Sequence, residues 1–214
     1  MQESAKCKIC RRNGRKLFLK GEKCFTAKCP MIKKDYPPGI ISKKRRKSTS
    51  EYGKELKEKQ KLRNWYGLSE KQFKSYVEEV LERMHKGSLK DENPAETLIK
   101  ILESRLDNTI FRMGFTLNRR QARQLVVHGH FLLNQKPVHS PSISLREGDK
   151  ISLRPTSFKN KFFTKVPSYL KQYQVPEWIK LDKVKMEGEI IGTTNLEQTA
   201  PPAEISSIFE FYSR

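Results

Sequence analysis

The chain has 214 residues, 36% hydrophobic and 32% charged, with 44 Lys and Arg against 24 Asp and Glu. A formal net charge of +20 needs solvation or a polyanion, and nucleic acid is the commonest such partner, with acidic membrane second. No run approaches the ~18 apolar residues of a membrane span, and the opening MQESAKC has no apolar stretch of a secretory signal, so the expected setting is the cytosol, where disulfides are rare.

The charge is uneven. Residues 1–47 hold 16 Lys or Arg against Glu3, Glu22 and Asp35, a net of +13, whereas 187–214 carry a net of −4. The N-terminal arm suits phosphate, and the tail suits packing on the chain itself or on a protein neighbour. All four cysteines fall early, as C-x2-C-x13-C-x4-C at Cys7, Cys10, Cys24 and Cys29. Two close pairs joined by a short loop bring four thiolates to a tetrahedron, the geometry of structural Zn²⁺. Lys8, Arg11, Arg12, Lys23 and Lys28 offset the charge of such a site. The segment reads as too short and polar to fold on a core, so metal binding would supply its folding energy. Two other uses of the cysteines remain: a disulfide pair, which the cytosolic setting disfavours, and a redox C-x-x-C, which belongs at a helix N-terminus after a strand.

Residues 30–47 contain three prolines and end in a basic run, Lys43 to Lys47, read as an extended phosphate-tracking arm. Residues 50–66 are helical in character. Ser69 and Gln72 make a capping box for a second helix whose Phe73, Tyr76, Val77, Val80, Leu81 and Met84 form an apolar stripe, stopped at Gly87. Asn93, Pro94 and Glu96 start a third helix, with a bend or restart near Ser104 and an end at Gly114. Asn118 and Gln121 cap a fourth, closed by Gly129. Beyond it, HFLLNQKPV is an apolar run, a polar Asn-Gln-Lys turn and Pro-Val, and SISLREGDKISLR alternates with period two around Gly148-Asp149, so both read as short strands. Residues 155–176 read as a linker or a loosely packed helix. The terminal IFEFYSR reads as a strand or an extended docking tail.

The fourth helix carries the strongest binding signal. Arg119 and Arg123 lie at i and i+4 with Arg120 beside them, opposite Ala122, Leu125 and Val126. Its N-terminus adds partial positive charge and free N–H groups suited to phosphate. His128, His130 and Lys136 lie just beyond. No phosphate-binding glycine loop, nucleophile elbow or zinc-protease motif is present, and Asp107 reads as a helix or Arg partner rather than a catalytic acid.

Residues 104–154, SRLDNTIFRMGFTLNRRQARQLVVHGHFLLNQKPVHSPSISLREGDKISLR, resemble the S-four RNA-binding domain. CRRNGRKLFLKGEKC, YPPG, SEYGKELKEKQKLRNWYGLSEKQFKSYVEE, VPEWIKLD, KMEG and EFYSR, in that order, resemble the bacterial small-subunit ribosomal protein four family. The resemblance implies an α+β fold: zinc knuckle and basic arm (1–47), helical domain (48–100), inserted S-four domain of alpha-L type with a small antiparallel sheet (101–157), and a C-terminal segment packing back on the helical domain (158–214). It also implies a non-catalytic primary binder of small-subunit ribosomal RNA that nucleates assembly of the body. Such a protein borders the mRNA entry channel, meets neighbouring ribosomal proteins three and five and contributes to accuracy, without membrane or small-molecule substrate.

Carried over by residue, Cys7, Cys10, Cys24 and Cys29 would hold one structural zinc. Arg119, Arg120, Arg123 and Gln124 would face RNA, and Lys44, Arg45, Arg46 and Lys47 would lie near the mRNA-entry arm. Arg11, Arg12, Lys61, Arg63, Arg105, His128, His130 and Lys136 complete the candidate RNA contacts. Two departures from the family pattern are Ile40-Ile41-Ser42 after PPG, and Asn134-Gln135 at the hairpin turn, where a glycine would fit the left-handed position most easily. A stand-alone translational regulator and, with less support, an RNA-modifying enzyme docking through the same module are the competing functions.

Overall fold

The computed structural model describes residues 5–39, 48–87, 93–194 and 196–213, so the basic run and Ile40-Ile41-Ser42 lie outside the described residues. The cysteine segment is built from helices α1 (Ala5–Asn13), α2 (Glu22–Phe25) and α3 (Pro30–Lys33). Leu17 and Leu19 are buried with Cys10, and Ile9, Met31 and Trp65 pack alongside. The segment thus has a small apolar core of its own, which corrects the reading of it as coreless.

Side-chain caps set the next helices. Ser50 accepts the Gly53 N–H at 3.3 Å to open α4 (Glu51–Tyr66), and Ser69 accepts the Gln72 N–H at 3.2 Å to open α5 (Glu70–His85). Asn93 accepts the Ala95 N–H at 2.9 Å before α6 (Pro94–Glu103). The helix stops and restarts as α7 (Leu106–Arg112) because the backbone there is diverted: Leu106 N–H donates to Ile143 O at 2.9 Å, and Ser104 O accepts Leu145 N–H at 2.8 Å. Asn118 accepts the Gln121 N–H at 2.9 Å to start α8 (Arg119–Val127).

Strands β1 (Phe131–Leu133), β2 (Lys136–Pro137) and β3 (Lys150–Leu153) follow. Asn134 and Gln135 sit at φ 49° and 67°, as both central residues of a type I′ hairpin turn require. Of the alternating stretch before β3, Ser144 makes only an isolated bridge to Arg105. Two 3₁₀ turns, Pro155–Lys159 and Phe163–Lys165, lead into α9 (Val166–Gln172). Then come β4 (Ile179–Asp182), β5 (Glu187–Ile190), α10 (Leu196–Thr199) and α11 (Ile205–Ser213). The antiparallel sheet has the order β2-β1-β3-β5-β4, with Leu132 opposite Ser152, Ile151 opposite Gly188 and Lys180 opposite Glu189.

The chain divides into two compact units, Ile99–Thr199 and the remainder, in which the residues from Ala200 onward join those up to Leu98. The first is organised around Leu106, Ile110, Phe115, Val126, Phe131, Ile151, Phe163 and Trp178. This corrects the expected behaviour of 158–214. Strands β4 and β5 continue the sheet from β3, so 158–199 stays with the sheet-bearing unit, and only the last residues return to the helical region, where α11 packs on α4 and α5. The tail is also a helix rather than a strand: Ile205 and Ile208 are buried at helical spacing.

Candidate nucleic-acid interface and cysteine cluster

Cys7 and Cys10 stand one turn apart on α1, Cys24 lies in α2, and Cys29 is the N-cap of α3. None of the four is in a disulfide, and all are buried. They line one narrow cavity with Leu19, Pro30 and Met31, edged by Lys6, Lys16, Lys20 and Lys23. Burial pushes the Cys10 thiol up, against a backbone hydrogen bond from Leu17, and the other three cysteines push it further. Cys24 is likewise raised by burial, although the Lys20 N–H donates to its sulfur at 3.4 Å. Among the described residues no group of three or more His, Cys, Asp or Glu side chains stands in metal-ligand geometry.

Arg11, expected at the RNA, is 4% exposed. Its Nε donates to Tyr36 O at 2.8 Å, its Nη2 to Pro37 O at 3.3 Å, and the guanidinium lies 4.8 Å over the Tyr36 ring. It ties α1 to the YPPG stretch instead. Arg12, the next residue, is exposed. Lys61 pairs with Glu58 one turn back, and Arg63 Nη1 donates to Glu70 Oε2 at 2.8 Å. Glu70 is a hub. It takes Lys59 as an ion pair and accepts the Tyr212 hydroxyl at 3.0 Å, while Lys59 also sits 4.4 Å from the Phe211 ring centroid. Phe211 and Tyr212 are thereby clamped to α4 and α5. Burial pushes the Tyr212 phenol well above its ordinary range, and Glu70 adds to the rise, so Tyr212 stays a donor.

In the other unit a buried network surrounds Glu103, which is 0% exposed. Arg112 holds it with two bonds, Nε to Oε2 at 2.8 Å and Nη2 to Oε1 at 2.9 Å, and Asn108 Nδ2 donates to Oε2 at 2.6 Å. Arg119 belongs to the same network. Its Nε donates to Asn108 Oδ1 at 2.6 Å, its Nη2 lies 3.7 Å from Glu103, and its Cζ lies over the Phe111 ring, 4.5 Å from the centroid. Arg105 is buried too, in a two-point pair with Asp107 at 3.1 and 2.9 Å. Arg119 and Arg105 are therefore struts, which corrects their reading as RNA contacts. Asp107 has the Arg partner expected of it.

The outward face of α8 carries Arg120, Gln124 and His128, successively one turn apart, with Arg123 half-buried at its flank. Lys136 is exposed on β2. His130 turns partly inward, with Nδ1 2.9 Å from the Ser157 hydroxyl and its ring edge-on to Phe163. Burial holds it below the usual histidine range, and the nearby charges of His128 and Arg154 add to that. The sequence reading missed Glu103, Asn108 and Arg112. A signal was present: Glu103 stands four residues after Ile99, in the apolar register of α6, where a carboxylate needs a buried partner.

Residues 2–103 match the family described as ribosomal protein S4/S9 N-terminal domain, and residues 104–151 match the S4 domain. The small ribosomal subunit protein uS4 of Thermotoga maritima is 43% identical over 209 residues, covering 97% of this chain and 96% of that protein. Those of Halothermothrix orenii and Thermus thermophilus are each 41% identical over 208 residues, with the same coverage of both chains.

Proposed function

This chain belongs to the uS4 family of small ribosomal subunit proteins, and on that premise we propose how its residues meet RNA. It is a structural, non-catalytic constituent of the small ribosomal subunit that binds the subunit's RNA in the cytoplasm; the single observation carrying this is identity above 40% along nearly the whole chain. Within that role Arg120, Arg123, Gln124, His128 and Lys136 contact RNA from the sheet-bearing unit. Arg12 does so from the cysteine segment. Lys44, Arg45, Arg46 and Lys47 extend the contact through the basic arm. The exposed α8 face supports this, because it sets Arg120 in the first turn of the helix, beside its N-terminus, with Gln124 one turn further along the same exposed side, an arrangement suited to phosphate and structured RNA.

The finer role is that of a primary binder of small-subunit RNA that nucleates assembly of the body. Such a binder lies beside the mRNA entry channel and ribosomal proteins three and five, and contributes to accuracy. The family resemblance along the whole chain supports it. Chemical footprinting on protein-free small-subunit RNA tests it. Protection concentrated at one multi-helix junction is expected, and protection spread evenly over unrelated RNAs overturns it.

Cys7, Cys10, Cys24 and Cys29 are assigned to one structural zinc. The donor chemistry supports this: four thiols outside any disulfide, all buried and lining one cavity, are the number and type of ligand a closed structural zinc takes, and binding the ion would draw them into the ligand geometry they do not hold here. A zinc ion held there would supply cross-linking energy to short helices that bury few apolar side chains. Metal analysis of the purified protein is expected to return about one zinc per chain, with the thiols reacting only after chelation. Metal-free protein with four unreactive thiols refutes it.

A further inference from the structure

Phe18 is a bulky residue in the left-handed region, φ 52°, an outlier for a side chain of its size. Glycine adopts that conformation freely, as Gly14 does nearby at φ 65°. Position 18 nevertheless carries a ring, and the ring is not spent on the core. Leu17 and Leu19 on either side are 2% and 5% exposed, while Phe18 is 37% exposed. Its neighbour Phe25 is 67% exposed, and the two rings lie with centroids 5.0 Å apart and planes inclined by 30°. Lys16 Nζ sits 5.2 Å from the Phe18 ring centroid. Residues 14–34 hold seven Lys and Arg against the single carboxylate of Glu22.

An outward aromatic pair set among ammonium groups is the composition of a single-strand binding platform. Bases stack on rings whatever their identity, and the cations follow the backbone. Unstacked bases in loops and bulges are what proteins read in RNA. We propose that Phe18 and Phe25 form a stacking platform for an unpaired base of small-subunit RNA, with Lys16, Lys23 and Lys28 neutralising the flanking phosphates. This rests on the RNA-binding reading above and deepens it. An apolar protein partner fits less well, because covering the rings would also strip water from the lysines without supplying counter-charge.

The test uses the full-length protein and small-subunit RNA. The double variant Phe18→Leu with Phe25→Leu keeps apolar bulk and removes both rings. Its affinity is expected to fall at least about fivefold, the low end for loss of one base–aromatic stack, with no change in the slope of log affinity against log salt. Lys16→Ala with Lys23→Ala should instead flatten that slope by roughly 0.7 to 0.9 per lost phosphate contact. Nucleotides protected by the native protein should become reactive with the leucine variant. Phe25→Trp should hold affinity, and its emission should be quenched on adding RNA.

Thiol reactivity reports folding. If the double variant exposes its cysteines, the single Phe25→Leu, at a largely exposed side chain, decides the matter. Native protein that shows no preference for small-subunit RNA would defeat the parent reading. Native binding with undiminished affinity and protections in the leucine variants would overturn the platform alone. So would weaker capture of a neighbouring ribosomal protein with RNA affinity unchanged, which would assign the rings to a protein contact.

Discussion

Arg119 and Arg120 are consecutive, and the structure gives them opposite tasks. Replacing Arg119 by Met removes a charge-assisted bond to Asn108, the guanidinium beside Glu103 and the stack on Phe111. A hydrogen bond to a charged group contributes about 1.5–3 kcal/mol, and a desolvated cation–π contact about 2. Methionine recovers part of the packing, which leaves a net loss of roughly 2–4 kcal/mol. In a unit of this size each kcal/mol lowers the melting temperature by about 4–8 °C, so a drop of at least about 8 °C is expected in thermal unfolding followed by circular dichroism. Hydrogen exchange should place the loosening within 99–199. Arg120→Ala, at an exposed position of the first turn, should stay within about 0.5 kcal/mol of native stability while weakening RNA binding and flattening its salt slope. If Arg119→Met melts like the native protein and loses RNA affinity as Arg120→Ala does, the buried-strut assignment is wrong.

Gln135 adopts φ 67° without the side chain best suited to it, so Gln135→Gly is expected to raise stability by up to about 1 kcal/mol, read as a higher melting temperature. Gly114→Ala should cost about 1–2 kcal/mol from backbone strain at φ 82°, and more as the Tyr173 ring, 2.6 Å from the added carbon, is displaced; an unchanged melting temperature refutes this. Burial works against ionisation of Glu70, but hydrogen bonds from Lys59 and Tyr212, with the charges of Lys59 and Arg63, outweigh it and hold the carboxyl below its ordinary range. Its contribution to stability is therefore present above the ordinary Glu value of about 4.3 and is lost as pH falls through the lower folded value. The stability gap between native protein and Glu70→Gln should be widest near neutral pH and close in acid, and a gap independent of pH argues against the clamp.

What the sequence disclosed depended on how local the cause was. Ser50, Ser69, Asn93 and Asn118 cap their helices through atoms two or three residues away, so the relevant chemistry lies within a few letters of sequence. The break at Ser104 was legible as a polar interruption, though its cause, pairing with residues 143–145, was not. Strands β4 and β5 escaped because β5 pairs with β3 across more than thirty intervening residues, and nothing local announces such a partner. In IFEFYSR, apolar residues spaced for a short helix are equally compatible with a strand. Docking of Phe211 and Tyr212 on Lys59 settles it. The arginines were the harder case. Periodicity groups Arg119 with Arg123, but it does not show that Asn108 and Glu103 wait beneath the first of them.

The cations of this chain therefore fall into two groups, and the first serves the second. Arg11, Arg105 and Arg119 are buried and held by carbonyls, amides or carboxylates, so a count of basic residues overstates the surface offered to RNA. Burying Arg119 at the first position of α8 also fixes the roll of that helix about its axis. With Arg119 pinned between Asn108 and Phe111, the following residue must point away from the network. Gln124 and His128, one and two turns beyond Arg120, share its exposure. A guanidinium is needed for this because the bond from Nε and the contact over the Phe111 ring are made at once, and an ammonium group makes only a point contact. Arg119→Lys preserves the charge of the chain and should still lower the RNA affinity of the untouched Arg120 face, by loosening the helix that aims it.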